Sequence, residues 1–411
     1  MKKFTLISVA ILAVALSCSK NASYRASVPV DENGVEAAEP ITIGTNIRAN
    51  VTTKAAGQGA LDAWNGTQQL RVFGIPKTGQ PIPIDVHIIN NVAAKSPASD
   101  TFGYIDVYRT GTEKYFYAEN VNYDFYGYYV DSAADPNNDF VYTPQEPATE
   151  STEAVAAKGY IPVTIDGTQD ILVAKANPEA DAKVKIDAGE FPAANLPRVY
   201  SSYASRKGII PNLKFEHQLA RFNFKIQAGS AVSQNTVINV KELTVTSKAA
   251  GTLNVIAETP GLVPGEAAAI PLSVHYNNAG TLAPIAEGIA YNTNPLTQVY
   301  NEENPYFGVP LLVMPGEAKY PVGLVLKQEG YTGDINVANL EIDFAKLVFN
   351  PVDDPATPDV DESQTPKDTV AVAGHSYDVT ITIHGLQVVE ITVELTPWVE
   401  SGSFSLDPDA D

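Results

Sequence analysis

The fold class is indicated most clearly near the carboxyl end of the chain, where residues 377–395 read YDVTITIHGLQVVEITVEL. Before His384 and Gly385, apolar side chains occupy every second position: Tyr377, Val379, Ile381 and Ile383. After them the same alternation returns with Val389, Ile391, Val393 and Leu395. A period of two places such side chains on one face of a β-strand. The segment therefore predicts a β-hairpin in which each strand buries one face.

The same alternation continues through much of the chain. It is found at residues 41–47, 70–75, 213–226, 237–246, 320–327 and 340–349. The 28 glycines and 29 prolines interrupt these runs, as the loops of a β-sandwich require. Helical periodicity is scarce, and the only weak helix candidates are residues 150–158 and 170–177. The sequence predicts an all-β protein.

Composition excludes several classes of partner. The 411 residues carry 27 Lys and Arg against 48 Asp and Glu, giving a formal net charge of −21. Binding to nucleic acid or to anionic lipid needs clustered positive charge, so neither partner is expected. A single cysteine excludes a disulfide within the chain and a cysteine-based zinc site. We expect no cofactor.

The amino terminus has the pattern of an export signal. Lys2 and Lys3 precede an apolar run at residues 4–16, which is too short to span a bilayer. Ser17 and Cys18 follow the run, as in a bacterial lipoprotein signal, so residues 1–17 are predicted to be removed and Cys18 to be lipidated. An ordinary signal peptide that happens to contain a cysteine is the alternative. Residues 19–40 have the composition of a tether.

No catalytic or metal-binding constellation emerges from the sequence. Serine-hydrolase, zinc-protease and phosphate-loop motifs are missing, and none of the five histidines is paired at a metal-ligand spacing. We therefore predict that the protein is not an enzyme, although dispersed carboxylates could still form a cleft. The acidic stretch at residues 350–366 could hold calcium, but it lacks the EF-hand spacing and is more typical of a solvated loop.

Residues 101–130 are rich in tyrosine, and two interpretations are open. The eight tyrosines are Tyr104, Tyr108, Tyr115, Tyr117, Tyr123, Tyr126, Tyr128 and Tyr129. Alternating aromatic side chains usually fill a sandwich core, which is the interpretation we favour. Exposed on a sheet face, they would instead form a platform for stacking on sugar rings.

Several segments together resemble the fimbrillin superfamily of Bacteroidales bacteria, which are pilins assembled from lipoprotein precursors. The resemblance rests on Cys18 and on residues 41–55, 115–117, 123–129, 215–221 and 396–400. Their order and the length of the chain match the family over nearly the whole sequence. The resemblance implies two tandem transthyretin-like β-sandwich domains, at residues 49–228 and 229–411.

The resemblance also implies a maturation step. A lipidated precursor reaches the outer membrane, a trypsin-like protease cuts after an arginine, and the first strand is released with the tether. The bond between Arg48 and Ala49 is the best candidate, which makes residues 18–48 a propeptide. Cutting after Arg25 would remove only tether. A plain basic residue at a strand end is the other interpretation of Arg48.

A polymer then needs a strand from another subunit. We expect that strand in the tail after Trp398, with Val399, Phe404 and Leu406 as candidate contacts, although the tail could equally be a frayed acidic terminus. The implied partners are other fimbrial subunits, joined head to tail, and an unidentified host or bacterial surface ligand. A shaft or tip subunit is preferred over an anchor subunit. The main rival outside the family is a surface-anchored glycan-binding lipoprotein.

Overall fold

The computed structural model describes most of the chain. The described residues are 39–47, 64–77, 88–98, 102–118, 121–131, 139–146, 152–228, 237–278, 281–284, 290–292, 306–328, 330–349, 368–385 and 388–396. Within them, no helix is long and apolar enough to cross a membrane.

The described residues are mainly β-strands, which we number in chain order. The strands of the first half are β1 Ile43–Ile47, β2 Gln69–Pro76, β3 Ile89–Lys95, β4 Gly103–Ile105, β5 Tyr108–Thr110, β6 Glu113–Lys114, β7 Tyr123–Val130, β8 Val141–Thr143, β9 Lys158–Thr164, β10 Ile171–Lys175, β11 Asn212–His217 and β12 Ala220–Ala228. Those of the second half are β13 Val237–Ser247, β14 Ala250–Ile256, β15 Gly261–Pro264, β16 Ile270–Ser273, β17 His275–Asn278, β18 Thr281–Pro284, β19 Ala290–Asn292, β20 Phe307–Val313, β21 Lys319–Gln328, β22 Ile335–Asp343, β23 Val348–Phe349, β24 Ser376–Gly385 and β25 Val388–Thr396. Two α-helices, α1 Pro178–Asp187 and α2 Ser202–Ser205, and two short 3-10 helices, Ala193–Arg198 and Phe344–Lys346, complete the described elements.

The all-β prediction and the hairpin prediction are both confirmed. Strands β24 and β25 pair antiparallel, with Tyr377 opposite Leu395 and Ile381 opposite Ile391. The inward residues Tyr377, Val379, Ile381 and Ile383 are fully buried. Alternation therefore identified both the strands and the face that each one buries.

The two weak helix candidates are wrong. Residues 152–157 form no helix, and the strand β9 begins at Lys158 and alternates between exposed and buried positions. Strand β10 occupies the centre of the second candidate, where Ile171, Leu172 and Val173 are all buried. A strand buried on both faces is a continuous apolar run, which periodicity cannot distinguish from a helix.

The largest sheet has seven strands in the order β3-β2-β7-β10-β11-β1-β4. One of its faces packs against the segment that carries α1, the first 3-10 helix and α2. The core on that side includes Phe191, Tyr200 and Ala204 from the helical segment and Leu213 and Phe215 from β11.

The other face of this sheet packs against a four-stranded sheet in the order β15-β14-β9-β8. Phe140, just before β8, stacks on Phe73 of β2 at 4.8 Å and on Tyr128 of β7 at 5.8 Å between ring centroids. Since β14 pairs with β9, strands that are distant along the chain share one layer.

Two further sheets face each other in the second half of the chain. The first has the order β20-β12-β24-β25-β23, and the second has the order β16-β13-β21-β22 with β19 beside β13. Phe222 of β12 contacts Tyr320 of β21 and Tyr377 of β24, with ring centroids 5.2 and 5.9 Å apart. The apolar core between these sheets is continuous with the one beneath Phe73 and Tyr128. The domain boundary expected between residues 228 and 229 stays a prediction.

Candidate functional site

Strand β1 lies inside the seven-stranded sheet although it comes from near the amino terminus. It pairs parallel with β11, where Gly44 lies opposite Asn212 and Ile47 opposite Phe215. On its other side it pairs antiparallel with β4, where Ile43 lies opposite Ile105. The chain before it is also fixed, because the amide of Ile41 donates to the carbonyl of Tyr115 at 2.8 Å. We call the space between β11 and β4 the β1 slot.

The inward face of β1 is almost wholly apolar. Ile43 and Ile47 of β1 are 0% and 6% exposed, Ile41 just before the strand is 4% exposed, and all three join the core beside the helical segment. Thr45, between them, is fully buried, and its hydroxyl donates to the carbonyl of Leu213 at 3.1 Å. Burial of the three isoleucines contributes about 5–9 kcal/mol, so an empty β1 slot would be costly.

The outward face of β1 has a different chemistry. Gly44 lies opposite Tyr104 of β4 and Asn212 of β11, so all three share this face. The ring of Phe102 covers the glycine, and it contacts Tyr104 edge to face at a centroid distance of 5.3 Å. We call the surroundings of Gly44, formed by Phe102, Tyr104 and Asn212, the outer pocket.

Among the described residues, two buried amide oxygens on this face have no hydrogen-bond partner. Asn46 Oδ1 and Asn212 Oδ1 are shielded from solvent, and neither has a hydrogen-bond partner among the described residues. An unsatisfied buried acceptor costs about 1–3 kcal/mol. The outward face of β1 therefore complements the β1 slot less well than its inward face does.

A partly buried carboxylate fixes the start of β11. Asp181 Oδ2 of α1 accepts hydrogen bonds from the Tyr200 hydroxyl at 2.6 Å and from the Asn212 backbone amide at 2.9 Å. Burial raises the pKa of Asp181 to about 6, and the two hydrogen bonds only partly oppose this effect. Asp181 thus positions the strand against which β1 packs.

Most of the tyrosine-rich segment fills the core, as the favoured interpretation predicted. Six of the eight side chains are buried, whereas Tyr104 is 57% and Tyr108 is 38% exposed. Burial raises the pKa of Tyr117 and of Tyr126 well above the ordinary value. The described part of this segment therefore does not present a continuous aromatic platform to solvent.

The residues predicted from the sequence as functional lie outside the described residues. They are Cys18, Arg48, Ala49, Val399, Phe404 and Leu406, and the acidic stretch at 350–366 lies outside as well. The described part of β1 ends at Ile47, one residue before Arg48. The calcium, lipidation, cleavage and strand-donation predictions therefore stay predictions.

Sequence reasoning missed Phe102, Asn212 and Asp181. All three meet β1 or its partner strand through tertiary contacts, and no local spacing reports such contacts. A partial signal existed for Asp181, because Asn177 and Pro178 precede it as a helix cap and first helical residue.

The chain is similar to several solved structures of Bacteroides proteins. A proposed cell adhesion protein from Bacteroides uniformis is 12% identical, with a TM-score of 0.43 over 88% of this chain and 99% of its own. Another from Bacteroides ovatus is 15% identical, with a TM-score of 0.44 over 89% of this chain and 100% of its own. A fimbrial protein from Bacteroides vulgatus is 14% identical, with a TM-score of 0.39 over 87% and 98%. No curated protein matches the sequence.

The comparison with family models gives a match over most of the chain. The model described as fimbrillin-like covers residues 51–398. The match begins shortly after β1 and includes nearly all the described strands. The chain therefore belongs to the fimbrillin-like family.

Proposed function

We propose that this protein is a shaft or tip subunit of a cell-surface fimbrium. In this proposal the precursor is lipidated at Cys18, a protease cuts between Arg48 and Ala49, and β1 leaves. A strand from another subunit then fills the β1 slot. Membership of the fimbrillin-like family supports a role as a fimbrial subunit in adhesion at the cell surface.

One observation supports the mechanism most strongly: β1 is an interior strand of its sheet, and its described end lies next to Arg48. One cut at that position would disconnect the strand from the rest of the fold. Removal of β1 would expose the backbone edges of both β11 and β4. Unpaired edges of this kind are templates for pairing with a strand of another chain.

The precursor is protected while β1 is present. The buried Ile43 and Ile47 of β1, the buried Ile41 just before it, and its backbone pairing on both sides satisfy the β1 slot. A replacement strand must supply comparable apolar burial, so the slot selects an alternating apolar segment. The tail with Phe404 and Leu406 has such alternation.

The geometry of the contact favours a filament. The acceptor is the β1 slot, and the donor is a separate segment of the chain. Contacts between two different surfaces repeat head to tail and need not close into a ring. Successive subunits would therefore extend the polymer in one direction.

The proposal is tested by blocking the cut in native cells. Arg48→Gln should abolish detergent-resistant ladders on unboiled gels, because the precursor keeps β1. Arg25→Gln is the matched control, since Arg25 lies in the tether, and this variant should form ladders like the unsubstituted protein. Ladders of full intensity from Arg48→Gln would contradict the proposal.

A further inference from the structure

We infer that the outer pocket selects a strand with serine at the position now held by Gly44, and that residues 401–406 of a second copy supply it. This inference rests on the proposed function for the identity of the occupant. The chemistry of the outer pocket is independent of that proposal.

The outer pocket limits the size of a side chain at this position. A Cβ atom placed on Gly44 would lie 2.6 Å from Phe102 Cζ and 2.7 Å from Phe102 Cε2. Those atoms are the far end of a side chain, so a small displacement of the ring would admit one or two atoms. A β-branched side chain at this position would require a much larger displacement of the Phe102 ring.

The outer pocket also contains an acceptor without a donor. The same Cβ position lies 3.6 Å from Asn212 Oδ1, which is buried and unpaired among the described residues. A hydroxyl attached to that Cβ would come within hydrogen-bonding distance of the oxygen. Serine is the smallest side chain that provides this donor, whereas Gly44 itself provides none.

The tail of the chain has the matching pattern. Residues 401–406 read SGSFSL, so serine and other residues alternate. When Phe404 and Leu406 face the core, Ser401, Ser403 and Ser405 all face outward. Every outward position of this segment is therefore small and carries a hydroxyl.

The tail of a second copy would thus satisfy the polar groups on the outward side of the β1 slot better than β1 does. Its serine would satisfy Asn212 Oδ1, and departure of β1 would remove the unpaired Asn46 Oδ1 from the slot. Replacement of β1 by the tail relieves both defects. The gain in hydrogen bonding favours the polymer over the precursor.

The outer pocket can be tested in the full precursor without any cleavage. Gly44→Ser and Gly44→Ala differ only in the hydroxyl, and we expect the folding equilibrium constant of the serine variant to be about five- to tenfold larger. In an Asn212→Ala background this ratio should fall to about one. A ratio near one in the wild-type background, or one unchanged by Asn212→Ala, would overturn the assignment of the acceptor.

The limit on side-chain size at position 44 is tested by a separate measurement of precursor stability. Gly44→Val should destabilise the precursor relative to Gly44→Ala, and Phe102→Ala should remove most of that difference. Equal stability of the valine and alanine variants with Phe102 in place would show that the ring does not restrict the position.

The occupant is tested by assembly of the full chain. Replacing all three tail serines by valine should slow ladder formation at least tenfold, and Phe102→Ala in the acceptor should restore most of the rate. The variant in which all three tail serines are replaced by alanine is the control. It should lose only the contribution of the hydrogen bond to Asn212 Oδ1, because alanine still fits the outer pocket. If unsubstituted chains form ladders and the valine variant matches them, the occupant assignment fails. If unsubstituted chains form no ladder, the proposed function fails, and with it the assignment of the occupant.

Discussion

The carboxylate of Asp181 holds the start of strand β11 in position. Its carboxylate accepts from the Tyr200 hydroxyl and the Asn212 amide, and burial raises its pKa from 3.8 to about 6. The folded state therefore holds the proton more tightly than the unfolded state. As pH falls from neutral toward 4, protonation at Asp181 stabilises the fold, and this stabilisation is lost as pH rises through about 6.

This effect gives a prediction at the scale of one residue. Between pH 7 and pH 5, the free energy of unfolding should rise by about 1 kcal/mol relative to the Asp181→Asn variant, which cannot titrate. Asp187→Asn, at an exposed position of the same helix, is the matched control and should keep the pH dependence of the unsubstituted protein. Urea denaturation at both pH values measures the difference. Parallel pH profiles for Asp181→Asn and the unsubstituted protein would contradict it.

At the scale of elements, strands β1 and β12 have similar pairing but differ in the polar contacts on their outward faces. Both strands pair parallel with a strand from later in the chain, β1 with β11 and β12 with β24. The outward face of β12 is fixed by polar contacts: Asn223 Nδ2 donates to Asp378 Oδ1 at 3.0 Å, and Lys225 Nζ lies 2.6 Å from Asp378 Oδ2. The Tyr306 hydroxyl also donates to Asp378, at 3.0 Å. On the outward face of β1, by contrast, Asn46 Oδ1 and the Oδ1 atom of Asn212 on β11 have no hydrogen-bond partner among the described residues.

The comparison predicts that β12 is a permanent strand. Asp378→Ala should lower the free energy of unfolding by about 3 kcal/mol, because three donors lose a buried acceptor. Asp334→Ala removes the exposed contact with Lys241 and should cost less than about 1 kcal/mol. Chemical denaturation of both variants checks the difference, and equal costs would refute it.

The sequence was sufficient for elements whose pattern is local. Alternation identified β1 and the hairpin of β24 and β25, and it favoured the core for most of the tyrosines. It failed at β10, which is buried on both faces, and at α1, whose apolar periodicity is weak even though Asn177 caps it. The outer pocket could not be predicted at all. Phe102, Gly44 and Asn212 come from three separate parts of the chain, and only the pairing of β1 with β4 and β11 brings them together.

At the scale of the whole molecule, the proposed removal of β1 would leave most of the strand pairings in its sheet intact. It lies next to the end of the seven-stranded sheet, so β3, β2, β7, β10 and β11 keep all their mutual pairings when it leaves. The face of that sheet away from the helical segment contributes to a core that continues into the two sheets of the second half. Loss of β1 would therefore expose the facing edges of β11 and β4, while the pairings among the other five strands remain.

The central claim is that β1 is removed from the assembled protein. The most direct measurement is the amino-terminal residue of the protein sheared from the surface of its native cells, determined by terminal sequencing and mass spectrometry. We predict a start at Ala49, with residues 18–48 absent. A lipidated start at Cys18 with β1 still attached would contradict the account and would instead favour an anchor subunit or a glycan-binding lipoprotein.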